Sequence, residues 1–221
     1  MPTRMVKEAY KFSAPPLLLG AAILFFGRQA VAGLWGGGIL LFLGIFVLYF
    51  FRDPERKPPA DPDAVVSPAD GRVTAIVQEE FEGRPGQRVS IFLSVWDVHV
   101  NRAPVAGRIR KVDYRRGRFY AAMRARASQE NEQNVFYVET DRGEMSFKQI
   151  AGWIARRVVS WKSPGDAVAT GERIGLIRFG SRMDVWLPPE AEMVAKKGQL
   201  VSAGSSTLAR WPRAGGRPQT R

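Results

Sequence analysis

Two long apolar runs open the chain, and short alternating runs fill most of the remainder. From Ala30 to Phe51 (AVAGLWGGGILLFLGIFVLYFF) 22 residues carry no charge. At about 1.5 Å per residue, a helix of that length crosses a hydrocarbon core of about 30 Å. A shorter run, Leu17 to Phe26, precedes it and reaches back to Phe12 across Ser13, Pro15 and Pro16. Gly27-Arg28-Gln29 separates the two as a polar turn. The pattern predicts a transmembrane helical hairpin within residues 1–52, with helices over 12–26 and 30–51. Arg4, Lys7 and Lys11 flank one outer end, and Arg52, Arg56 and Lys57 the other. The positive-inside rule then places both ends, and the domain beyond them, on the cytoplasmic side of the cell membrane. The apolar region is too long for a cleaved signal peptide and lacks a small-residue cleavage pattern. The competing reading is a pair of buried core helices.

Residues 53–62 (DPERKPPADP) hold four prolines among charges and read as a linker. Beyond them the period changes to two. GRVTAIVQ, RVSIFLSV, NVFYVET, EMSFKQIAG, RIGLIRFG, MDVWLP and QLVSAGSSTLA alternate β-branched or aromatic residues with polar ones, between Gly, Pro and Asp. That alternation predicts strands. Residues 119–130 (FYAAMRARASQE) are the one stretch suited to a helix or loop. The expected fold is mainly β, a sandwich or barrel of short strands over 63–209. Residues 210–221, rich in Arg, Pro and Gly, read as a disordered basic tail.

Composition narrows the chemistry. The chain has no Cys, which excludes disulfides, thiolate catalysis and Cys-ligated metals. His99 is its one histidine, so a multi-His metal site is excluded, no metal is expected, and any catalytic imidazole is His99. The formal net charge of +12 calls for an acidic partner, either nucleic acid or an anionic membrane. No nucleic-acid module is present, so the membrane is favoured. Residues 102–118 concentrate the charge: Arg102, Arg108, Arg110, Lys111, Arg115, Arg116 and Arg118 against Asp113 alone. Near anionic headgroups each such cation contributes roughly 1 kcal/mol. The alternative is a solvated strand face.

No Gly-x-Ser-x-Gly elbow or Walker loop is evident. Ser205, in VSAGSSTLA, reads on its own as part of a turn between strands, and Asp70-Gly71 in SPADG does too. Taken together, four groups of segments resemble the phosphatidylserine decarboxylase family in its short prokaryotic form. They are FFRDPER (50–56) with VVSPADGRV (65–73); IFLSVWDVHVNRAPVAGRI (91–109); QIAGWIARR (149–157) with GERIGLIRFGSRMDVWLP (171–188); and GQLVSAGSSTLA (198–209). The resemblance runs in order from about residue 50 to residue 209.

It implies autocatalytic cleavage between Gly204 and Ser205, giving a large chain 1–204 and a small chain 205–221. The Ser205 hydroxyl would attack the Gly204 carbonyl, and β-elimination would break the chain. Ser205 would end as a pyruvoyl group, the pyruvate-derived cofactor that condenses with the headgroup amine. Phosphatidylserine, a phospholipid substrate, would lose carbon dioxide to give phosphatidylethanolamine. A glycine before the serine leaves the attack uncrowded. Asp70 resembles the family's acid that assists self-cleavage, and His99 a histidine of its active region. Where many members carry a second histidine, three residues on, this chain has Arg102. The imidazole could serve cleavage, decarboxylation or both. Asn131-Glu132 and Phe179-Gly180-Ser181 also match family-like positions, and Asn131, Ser181 and Arg102 are candidate substrate contacts. GDAVATGERIGLIRFG and KKGQLVSAGSSTLA resemble the glycine-turn hairpins of biotinyl and lipoyl carriers, which supports a barrel-sandwich, but no carrier lysine sits at a hairpin tip. Two competing functions remain: the same reaction on another serine-headed lipid, or a non-enzymatic membrane-tethered adaptor that stays uncut.

Overall fold

The computed structural model describes residues 3–124, 126–153, 157–178 and 180–212. They form two compact units, Met1–Glu55 and Arg56–Arg221. In the first, β1 (Thr3–Met5) leads into α1 (Lys7–Phe26), and α2 (Val31–Phe50) leads into β2 (Arg52–Pro54). β1 and β2 pair antiparallel and close the base of the hairpin. The expected hairpin is present, with α1 beginning five residues earlier than its apolar run. Its first turn is polar and carries Glu8, which suits the positive end of the helix dipole. The helix passes through Pro15 and Pro16, each of which removes one backbone donor.

The helices meet through small residues. A Cβ on Gly20 would lie 2.9 Å from the Gly37 carbonyl oxygen, and one on Gly44 would collide with Leu17. Such close backbone approach is how helices associate when apolar burial cannot drive them together. The outer faces expose Leu18, Phe26, Val31 and Trp35, so these are not core helices of this unit. Both are long and apolar enough to cross a membrane.

The second unit is built from strands β3 (Ala64–Val66), β4 (Gly71–Gln78), β5 (Gln87–Leu93), β6 (Val100–Arg102), β7 (Gly107–Arg115), β8 (Gln133–Thr140) and β9 (Gly143–Ala151). It continues with β10 (Val158–Ser160), β11 (Ala167–Val168), β12 (Arg173–Ile177), β13 (Ser181–Leu187), β14 (Glu192–Met193), β15 (Leu200–Val201) and β16 (Thr207–Arg210). The stretch 119–130, read as a helix or a loop, holds one helical turn, α3 (Ala127–Glu130), and is otherwise non-helical over its described residues. A curled eight-stranded sheet has the order β11-β7-β8-β9-β13-β5-β4-β15, and three-stranded sheets β10-β12-β6 and β14-β16-β3 complete the unit. The mainly β expectation holds. The linker and the tail have different limits from those expected. Asp53 and Pro54 belong to β2, Arg56 is ion-paired to Asp70, Arg210 ends β16, and Trp211 is buried in the core. Residues 213–221 of the tail lie outside the described residues.

Alternation sorts the faces of the large sheet. Val73, Ile91, Ile109, Phe136, Phe147, Met183 and Val185 point into one core. Each such burial contributes about 1.5–3 kcal/mol, and Phe136 stacks on Phe147 at 5.0 Å. The opposite face carries a buried polar network that periodicity does not reveal. Arg182 clasps Asp184 through Nε (2.6 Å) and Nη2 (3.0 Å), and Ser128 Oγ donates to Asp184 Oδ2 (2.8 Å). Lys148 Nζ donates to the Ser128 carbonyl at 2.7 Å.

Burial is the main cause that pushes Lys148 down from 10.5 to about 8, with Asp184 opposing it and Arg182 and Arg88 adding to it. The unfolded chain therefore holds this proton between pH 8 and 10.5 while the folded chain releases it. The cost of burying the charge is full below pH 8 and relieved as pH rises, by on the order of 3 kcal/mol at most. Tyr137, raised by burial and by Glu82, acts with the opposite sign only above its ordinary value of 10. We expect the melting temperature to rise between pH 8 and 10 in the wild type, with that slope lost in Lys148→Met. Equal slopes in the two proteins would refute it.

Strand register aligns one transverse row across seven strands: Leu200, Arg72, Phe92, Arg182, Ile150, Gln133 and Arg115. Beyond that row, on one rim, lie the entry to β4 with Asp70, the exit of β5 towards His99, and the exit of β15 towards Ser205. The entries to β8 (Asn131) and β13 (Gly180) and the exit of β9 (Trp153) share the same rim.

Candidate active site

Gly204 sits at the tip of a tight turn with φ +71°, a conformation that favours glycine. A Cβ there would lie 2.7 Å from Arg102 Cδ and 3.2 Å from Gly171 Cα. Ser67 brackets the turn from the neighbouring segment. Its carbonyl accepts the Gly204 N–H (2.7 Å), and its own N–H donates to the Ser206 carbonyl (2.8 Å). Within the turn, the Ser205 and Ser206 amides donate to the Ser202 carbonyl (3.2 and 3.0 Å), and Ser206 Oγ accepts from Ser202 N–H (2.9 Å). Ser205 Oγ lies 3.4 Å from the Ser202 carbonyl oxygen, a long contact that leaves the hydroxyl lightly held.

Asp70 reaches this turn from 133 residues away. Its Oδ1 accepts the Ala203 N–H at 2.7 Å, and its Oδ2 pairs with Arg56 Nη2 at 2.8 Å. The first bond fixes the residue just before Gly204, and the second holds the carboxylate that makes it. Gly71, at φ +143°, lets this segment press against the Phe92 carbonyl, where a side chain would collide.

Arg102 is buried. Its amide donates to the Pro68 carbonyl (2.9 Å) and its Nη1 to the Gly171 carbonyl (3.0 Å). Three segments, 67–70, β6 and the turn at Gly171, thus converge on Gly204.

His99 lies at the other end of β6 from Arg102, three residues or about 10 Å along the strand. It is also buried, and its Nδ1 lies 2.9 Å from the Asp97 carbonyl. A carbonyl only accepts, so Nδ1 carries the proton, and the basic nitrogen of the neutral ring is Nε2.

The profile of the phosphatidylserine decarboxylase family matches residues 43–209. The chain belongs to the phosphatidylserine decarboxylase family. It is 57% identical over 171 residues to a phosphatidylserine decarboxylase proenzyme of Solibacter usitatus, covering 77% of this chain and 81% of that one. It is 49% identical over 191 residues to one from Salinibacter ruber, covering 82% and 84%.

Among the candidate site residues, the structure separates two groups besides His99. Gly204, Ser205, Asp70 and Arg102 meet around one turn. Asn131 and Ser181 lie elsewhere on the same rim. Asn131 spends its side chain on backbone: Nδ2 donates to the carbonyls of Tyr120 (2.8 Å) and Ala151 (2.7 Å), and Oδ1 accepts Tyr120 N–H (2.9 Å). That pattern staples the preceding loop to β9. Ser181 is fully buried in the sheet, opposite Leu93 and Ala151. Phe179 lies outside the described residues.

Ser67, Gly171 and Arg56 are the turn's supports that the sequence reading missed. Ser67 stands in SPADG beside Asp70, where a Ser-Pro step signals a turn; its Oγ donates to the Ala69 carbonyl at 2.6 Å and shapes that turn. Gly171, at φ +77°, was visible only as a hairpin glycine. Nothing in the sequence pairs Arg56 with Asp70.

In the basic stretch 102–118 six of the seven cations are exposed, and Arg102 is the exception. Arg102 is interior, Arg110 pairs with Glu144 (2.6 Å), and Arg115 pairs with Asp113 (2.8 Å).

Proposed function

We propose that this chain decarboxylates phosphatidylserine to phosphatidylethanolamine after cutting itself between Gly204 and Ser205. The observation that carries the reading is a left-handed Gly204 locked in place, next to a lightly held serine hydroxyl. Ser205 Oγ attacks the Gly204 carbonyl carbon, and the acyl group moves from nitrogen to oxygen, giving an ester and a free amine. Loss of the Ser205 Cα proton expels the Gly204 carboxylate. The dehydroalanine left at residue 205 takes up water, loses ammonia and becomes a pyruvoyl group. The residues present fit that group, because the Gly204–Gly171 approach leaves room for backbone only and Ser205 heads the following segment. When formed, it supplies an electrophilic carbonyl that serves as the electron sink for loss of carbon dioxide.

The chain's own residues supply positioning and proton exchange. Asp70 and Ser67 hold the turn in register before the cut. His99, its Nδ1–H tied to Asp97, exchanges protons through Nε2. The small chain stays in place after cleavage, because β16 remains paired with β3 and β14 and Leu208 is buried. The two apolar helices keep the enzyme at its substrate's bilayer, and the flanking cations put the catalytic unit on the cytoplasmic side.

Intact-mass analysis of the purified protein tests the reading. The expected result is two chains, 1–204 and 205–221, with the small one blocked at its N-terminus by pyruvoyl. A full-length uncut chain that still releases carbon dioxide from phosphatidylserine would exclude the mechanism.

A further inference from the structure

Among the described residues of the second unit, the four most exposed large apolar side chains are Met123 (71%), Trp153 (71%), Leu200 (66%) and Trp96 (60%). All four lie on or just beyond the transverse row, on the rim that carries the candidate active site. Leu200 is in the row, opposite Arg72. Trp96 follows Leu93 at the exit of β5, and Trp153 follows Ala151 at the exit of β9; both strands flank Ser181 of β13. Met123 is brought there by Ala122, whose Cβ would lie 3.3 Å from a Cβ on Gly152. The other end of the sheet exposes Val77, at 38%.

Charge accompanies the apolar residues. Arg116 and Arg118 leave β7 at this rim, and Arg124 and Arg126 flank the Met123 loop, all four exposed. Trp and Met mixed with Arg is the chemistry of the headgroup layer of a bilayer. Indole rings favour the boundary between water and hydrocarbon, and cations meet lipid phosphates. Protein interfaces also enrich Trp, Met and Arg; what favours a bilayer is the place of the patch, on the rim that carries the candidate site for a lipid headgroup.

We propose that this rim docks on an anionic phospholipid bilayer. Trp96, Met123, Trp153 and Leu200 enter the headgroup layer, and the four arginines contact phosphates. Docking would present the Gly204–Ser205 site directly to a lipid headgroup that never leaves the membrane. The proposal rests on the reading of the chain as a lipid decarboxylase, and it specifies which surface receives the lipid.

The test uses the full chain with Met123→Ser and Trp153→Ser combined, and Val77→Ser as control. Carbon dioxide release is measured per cleaved chain on phosphatidylserine in mixed phosphatidylcholine vesicles, and on monomeric dihexanoyl phosphatidylserine in detergent. The double variant should lose about tenfold on vesicles, the factor that about 1.4 kcal/mol of lost interfacial binding produces. It should match the wild type on the monomeric lipid, and Val77→Ser should match it on both. Unchanged vesicle turnover, or an equal loss on both substrates, would overturn the proposal; the second result would place the rim in a subunit contact or in the fold.

Docking is also read without activity. In a Trp35→Phe background, lipids brominated near the headgroup should quench fluorescence, and Trp153→Phe should remove part of that quenching. No change on replacing Trp153 sinks the docking surface, whatever the activity. A wild type inactive on both lipids but still quenched through Trp153 would refute the decarboxylase reading and leave the docking surface standing.

Discussion

Ser205→Ala yields one chain of full length with no decarboxylase activity. The substitution removes a single oxygen, and that oxygen is the nucleophile of the proposed cut and the source of the pyruvoyl group. No neighbouring group replaces it. Ser206 Oγ is already engaged as an acceptor for the Ser202 amide at 2.9 Å. The fold should survive, because the turn is held by backbone bonds from Ser67 and Ser202, and Ser205 Oγ contributes only a 3.4 Å contact. A stability change within about 1 kcal/mol is expected. Intact mass, carbon dioxide release and a thermal melt together separate this outcome from misfolding. Ser206→Ala is the control: it loosens the turn but should still cut at the same bond. Cleavage at residue 204 in the Ser205→Ala protein would remove the serine from the mechanism.

The parts of the fold that repeat locally were readable. A run of 22 uncharged residues marks a spanning helix, and period-two alternation marks the strands of a mainly β unit. The start of α1 was not readable, because Lys7, Glu8 and Lys11 interrupt the apolar pattern there, while Val6 donates to the Phe51 carbonyl at the base of the hairpin. Register was not readable either, and the site depends on it. Gly204-Ser205 looks like any turn until Asp70 is seen on the Ala203 amide and Ser67 on both sides of it.

Arg102 shows the same limit. As a sequence feature it belonged to a basic patch, yet β6 is buried along its whole length and Arg102 lies inward against Gly204, while Arg110 meets a carboxylate two strands away in the sheet order. The Lys148–Asp184 region carries no sequence signal, since charged residues in a strand read as solvent-facing until α3 covers them.

Asp70→Asn should slow self-cleavage by about tenfold to a hundredfold, with little effect on turnover by the chains that do mature. The carboxylate makes charge-assisted contacts with the Ala203 amide at 2.7 Å and with Arg56 at 2.8 Å. An asparagine can present its oxygen to only one of them. Facing the amide, it sets its own NH2 against Arg56, donor to donor. Turned round, it loses the amide. Losing one charge-assisted bond of this kind costs about 1.5–3 kcal/mol. Expressed in the barrier, that is roughly ten- to a hundredfold in rate. Asp70→Ala removes both contacts and should be slower still. Asp70 grips the segment upstream of the cut, so its work ends when the chain breaks. A pulse-chase of cleavage, set against carbon dioxide release per matured chain, separates the two stages. Wild-type cleavage in Asp70→Asn would show that the carboxylate's charge is unnecessary. A matching loss of turnover in matured chains would instead place Asp70 in the decarboxylation site, and the division of labour between it and His99 would have to be redrawn.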